Sequence, residues 1–218
     1  MNVKILDRII SIVALANVNR KVCSPFWLHK NKMISDEEMK SINDDSVSIS
    51  DTNVNFKTSS FELLCDHNRL QLQSYDIEQS LRLVALVTDI IRSSQAIVSA
   101  MGVNAAEQFS FSDMKDFLKF CHHCAPLNGI APLAEDALLL DLTLMDMRGY
   151  NKETGSMRYY NINRLPDSKD NTPMVRISVN NHQQVGGNLD LMKNSMTKAE
   201  DEHLSFFKKC DEFLLGMK

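Results

Sequence analysis

The sequence predicts an α+β fold in which an antiparallel sheet is packed on one side by long helices. Three observations carry that expectation. Runs such as Leu70-Gln71-Leu72-Gln73 alternate with period two, which buries one face of a strand and wets the other. Stretches near residues 76–92 and 197–217 carry apolar side chains at helical spacing instead. Over 218 residues the chain is 44% hydrophobic and 24% charged, enough for a core of ordinary size in one domain, 1–218, and too apolar for whole-chain disorder.

Taken in order, Val3 to Val18 is rich in β-branched residues and is expected to form a buried strand, although Ile5, Ile9 and Val13 also fit a helical stripe. The same segment imitates a secretory signal. Asp7 in its lead opposes that reading, and its apolar run is too short to span a bilayer. A polar excursion follows at about 29–60, with one short helix near Ser35 to Ile42 marked by a Ser35/Glu38 capping box.

Phe61 to Cys65 and Leu70 to Ser74 flank the turn-rich Asp66-His67-Asn68-Arg69 and should close a hairpin. Asp76 is expected to cap a helix, helped by Gln79, with Ile77, Leu81, Val84 and Ile91 inward and Leu83, Leu86, Val87 and Ile90 widening the stripe. Ala96 to Asn104 reads as a strand, Ser112 to His123 as a helix, and Leu138 to Met147 as a strand. Met157 to Arg164 and Pro173 to Gln183 read as two more strands joined by a turn-forming loop. A Thr197/Glu200 capping box should open a last helix with Phe206, Phe207, Cys210 and Phe213 inward. Strand, strand and helix thus recur at 61–92 and 138–217, as two pseudo-repeated halves.

Charge and cysteine usage narrow the function. The net charge of −4, with no run of Lys or Arg, disfavours a nucleic-acid partner, though a basic patch made by folding would permit one. Five irregularly spaced cysteines do not make a secreted disulfide framework, and a cytoplasmic location without a membrane partner is the expectation. No phosphate loop, nucleophile elbow or zincin helix is present in the sequence.

The stretch Cys121-His122-His123-Cys124 is the densest group of metal-loving side chains. Cys121 shares a helical stripe with Met114, Phe117 and Leu118, and Pro126 stops the helix, so a plain helix end with no metal and no cofactor is the reading taken. Its place at a helix C-terminus disfavours the thiolate that a redox Cys-x-x-Cys needs. Zinc would require further ligands, for which Cys65 and His67 are the candidates. Acid-x-Lys triplets at Asp167-Ser168-Lys169 and Glu38-Met39-Lys40 lie off the expected strands and carry no nuclease argument. His203 and Cys210 share a helix stripe and read as a core edge where the imidazole finds a hydrogen bond.

The binding candidates are Arg158, Tyr159, Tyr160, Asn161 and Arg164 on one strand and Arg176, Asn180 and His182 on the next. Aromatic, amide and guanidinium groups there suit a polar sheet face or edge. The leading expectation is a non-enzymatic binding or assembly protein that holds a protein partner or another copy of itself through about 157–183. A metal-dependent hydrolase or nuclease with ligands near Cys121 and Cys124 is the alternative, and single-stranded nucleic-acid binding through the tyrosines and arginines the next.

Overall fold

The β-branched run near the N-terminus forms β1, Val3–Ala16, which lies at the middle of a sheet beside a second strand of equal length. A computed structural model describes residues 2–43, 46–124, 144–151, 156–168 and 170–216. After β1 come α1 (Pro25–Lys30), α2 (Asp36–Ser41), β2 (Ser48–Ile49), β3 (Val54–Lys57), β4 (Glu62–Cys65) and β5 (Arg69–Ser74). Then follow α3 (Ser80–Ser94), β6 (Val98–Phe111), α4 (Met114–Cys124), β7 (Leu144–Asn151), β8 (Ser156–Leu165), β9 (Met174–Gln184), α5 (Leu189–Thr197) and α6 (Ala199–Gly216). Among the described residues the nine strands make one antiparallel sheet in the order β2-β3-β4-β5-β1-β6-β9-β8-β7. The fold is α+β.

One side of this sheet is the core. Ile10, Ile12 and Ala14 of β1 face the same way as Leu70 and Leu72 of β5 and as Met101, Val103 and Ala105 of β6, and all are buried. The helices that pack on the sheet do so there: α3 lies on β1 and β5, and α6 on β6. Phe120 of α4 meets Phe109 of β6 and Phe117 meets Phe111 edge to face, each at a centroid distance of 5.6 Å, and Phe120 lies tilted against Phe111 at 5.2 Å.

Local signals shape the excursion as expected. Ser35 Oγ accepts from the Glu38 amide while the Glu38 carboxylate accepts from the Ser35 amide, a reciprocal cap for α2. Glu38 is buried and also takes the Arg82 guanidinium of α3, so one carboxylate ties the excursion to the body.

Four expectations are corrected. β6 runs to Phe111 instead of stopping near Asn104, because its alternation continues through Glu107, a buried acid that breaks the apolar pattern in the sequence. Thr197 does not cap α6. It closes α5, which Asn188 caps by accepting from the amides of Asp190 and Leu191, and the chain turns at Lys198 before α6 begins. Asp76 caps a short 3-10 turn, Ile77–Gln79, that leads into α3, and Gln79 donates to the Asp76 side chain. In α3 itself Leu81 is 54% exposed, so the inward stripe is Leu83, Leu86, Val87, Ile90 and Ile91. The strand expected from Leu138 begins, within the described residues, at Leu144; residues 138–143 lie outside those residues.

Candidate functional site: the open face of the sheet

Strand periodicity divides the binding candidates between two faces. Arg158, Tyr160 and Arg164 turn toward the helices, since Arg158 stands opposite Asn181 and Tyr160 opposite Val179. Tyr159, Asn161, Arg176, Asn180 and His182 turn away from them. The two sets cannot touch one ligand together.

The outward set belongs to a polar row that the register carries across the sheet. Lys57 faces Glu62, Glu62 faces Gln73, Gln73 faces Ser11, Ser11 faces Asn104, Asn104 faces Asn180, Asn180 faces Tyr159, and Tyr159 faces Arg148. Directly opposed side chains in antiparallel strands lie within contact of each other. Lys57 pairs with Glu62 at 2.7 Å, Gln73 donates to Glu62 at 2.8 Å, and Asn104 donates to Ser11 at 3.3 Å. At the far end the Arg148 guanidinium sits 5.7 Å from the centre of the Tyr159 ring.

Neighbouring rows continue the chemistry. Asn163 donates to Asn161, and Asn161 donates to Asp146. The Gln108 amide oxygen, turned toward β9, accepts from Arg176 Nε at 3.1 Å. His182 lies within 3.2 Å of the Gln184 amide nitrogen. Amides therefore outnumber charges, and the charges present are mostly paired. Sequence reasoning missed Asn104, Gln108, Gln71, Gln73 and Arg148. Alternation within β5 and β6 was the signal available for the first four, but only the strand order reveals that they share a sheet face with β9, β6 beside it and β5 two strands further on.

Gly102 lies buried beneath this face. A Cβ there would lie 3.3 Å from both Asn104 Oδ1 and Asn180 Oδ1, so the two amides close over a position that only glycine leaves open. Asn104 Oδ1 is buried and, among the described residues, lacks a hydrogen-bond partner. A buried unpaired carbonyl is unfavourable, so this oxygen is an acceptor in want of a donor.

Arg158 and Tyr160 line a different feature, a cleft of about 380 Å³ between α6 and the sheet, walled also by Val103, Asn181, Phe206 and Lys209. Asn181 donates to Glu202 at 2.5 Å, and Arg158 approaches the same carboxylate at 3.6 Å. Arg164 lies near Asp167 at 3.4 Å and 5.0 Å from the Phe117 ring centre. These contacts brace α4 and α6 on the sheet.

The metal candidates are not brought together. Cys65 ends β4 with its thiol beside Cys23, His67 lies in the following turn, and α4 packs on β6, three strands away in the sheet order. Within α4, Cys121 is buried, His122 and His123 are exposed, and His123 rests against Phe213. Burial, and then the neighbouring Cys121, push the Cys124 thiol up to about 12, which opposes a reactive thiolate. Among the described residues no three His, Cys, Asp or Glu side chains converge to hold an ion. Of the acid-x-Lys triplets, Glu38 is the buried partner of Arg82, Asp167 lies in the loop after β8, and Lys169 falls outside the described residues.

Two buried polar groups serve the core. His203 is 1% exposed, with Nδ1 2.6 Å from Ser80 Oγ, and burial holds its pKa down at about 4. Glu107 accepts from Arg8 Nε at 2.9 Å, and burial raises its carboxyl despite that partner. Arg8 also reaches Asp211 on α6 at 2.6 Å. No helix among the described residues is long and apolar enough to cross a membrane. The fold and site define a one-sheet α+β protein with a covered apolar face and a polar amide face. No protein-family model matches the chain, and no curated protein is significantly similar to it.

Proposed function

We propose that the chain is a non-enzymatic binding protein of the cytosol whose open sheet face holds a protein partner. The observation that supports this is the unbroken polar row from Lys57 through Asn104 and Asn180 to Arg148. An amide surface with balanced charge recognises hydrogen-bonding groups of a protein better than it attracts a phosphate backbone, whose binding rests on unpaired cations. Tyr159 supplies the large amphipathic contact that protein interfaces favour.

The reading extends to architecture. The strand-strand-helix segments 61–92 and 138–217 are two pseudo-repeated halves in this reading; in support, β4 and β5 lie on one side of the central pair β1 and β6, and β9, β8 and β7 on the other.

The test compares affinity captures made with the wild type, Asn180→Arg and Leu204→Arg, the last on the exposed outer side of α6. The proposal expects one protein, retained at raised salt, to be lost with Asn180→Arg and kept with Leu204→Arg. Equal retention by both variants, or capture of nucleic acid that disappears with salt, contradicts it.

A further inference from the structure

β7 ends the sheet, and among the described residues its backbone is hydrogen-bonded on one side only, to β8. It spans 8 residues in continuous register without a bulge. Its sequence contains no proline. An edge strand of this kind is a template for another strand unless something blocks it.

The residues of β7 complement themselves. Asp146 and Arg148 are both exposed and stand on the open face, opposite Asn161 and Tyr159. Between them Met147, 46% exposed, turns to the other side with Met145 and Gly149. When two copies of one strand pair antiparallel about a two-fold axis, the numbers of opposed residues have a constant sum and opposed side chains share a face.

Centring that axis on Met147 sets Asp146 of each copy against Arg148 of the other, which makes two opposite-charge pairs. Met147 then meets its own copy, and Met145 stands against Gly149, where no side chain competes for space. Moving the centre by one residue in either direction sets Asp146 against Asp146 or Arg148 against Arg148. Like charges directly opposed are disfavoured, so charge selects one register among the three neighbours.

We infer that β7 pairs with β7 of a second copy, centred on Met147, to give a two-fold dimer. The product is a continuous sheet of twice the width, with both open faces on the same side. This edge meets the face proposed above at Asp146 and Arg148, so the two are told apart by a change at Asn180, two strands in from β7.

The experiment is sedimentation equilibrium of the full chain over a wide range of concentration, with Asp146→Arg, Arg148→Asp and the double exchange of both. Wild type is expected to dimerise, each single change to raise the dissociation constant by about tenfold or more, and the double exchange to restore it, since the charges are then opposed again in reverse. Matching thermal unfolding curves show that the singles are folded. Asn180→Arg leaves the dimer intact, which separates this result from the fate of the partner site. A wild type that stays monomeric, including one that is monomeric and binds some other protein along β7, overturns the inference. So does a dimer indifferent to the single changes, or a double exchange no better than either single.

Discussion

His203 and Glu107 are both buried, yet they act on stability in opposite senses. The folded state holds the His203 pKa near 4, below the value of about 6.5 in an unfolded chain, so between these the unfolded state binds the extra proton. Stability is therefore full above that window and falls as pH drops through it, by about 3 kcal/mol for this residue. Urea unfolding measured across the window should show this loss, and His203→Gln should flatten it; an unchanged slope contradicts the assignment. Glu107 has its pKa raised, so its contribution runs the other way and is greatest at the acid end. Its partner is the sensitive point. Arg8→Ala leaves the carboxylate without its cation and should cost about 3 kcal/mol, whereas an exposed pair costs under about 1 kcal/mol, and the urea midpoint distinguishes the two.

Elements whose signals are local were legible from the sequence. The α2 cap needs only Ser35 and Glu38, and both bonds are present. Ser35→Ala should cost about 1 kcal/mol by thermal unfolding, while Glu38→Ala should cost more because it also strands Arg82 of α3. The β4–β5 hairpin was legible through alternation and turn residues, and it forms with Leu63 facing Leu72. The end of β6 was not, because Glu107 occupies an inward position and is made acceptable by Arg8, a residue from the far end of the chain. Likewise Thr197 and Glu200 have the letters of a capping box, but Asn188 starts the helix earlier and Thr197 donates to the Asn194 carbonyl at its end. Letters that fit two positions are resolved by packing.

At the scale of the molecule, the candidate site was half legible. Tyr159, Asn161, Arg176, Asn180 and His182 could be named from two strands, but the sequence does not state which strands adjoin, and their extension through β6, β1, β5 and β4 follows from pairing order alone. The same strand contributed Arg158, Tyr160 and Arg164 to the covered side, a division that follows from period two once the facing strand is known. Gly102→Leu probes the close packing of the two amides over β6. Its side chain would press on Asn104 and Asn180, so it should lower the unfolding temperature, by about 1–3 kcal/mol of stability, and displace both amides from the face.

The most direct measurement places a photo-reactive phenylalanine analogue at Asn180 on the open face and, separately, at Leu204 on the outer side of α6, and identifies the covalent products by mass spectrometry after irradiation in cells. The account predicts one discrete protein adduct from position 180 that disappears when Asn104 is also changed to Arg, and none from position 204. The same adducts from both positions, or none from position 180, would contradict the claim that the open face holds a partner.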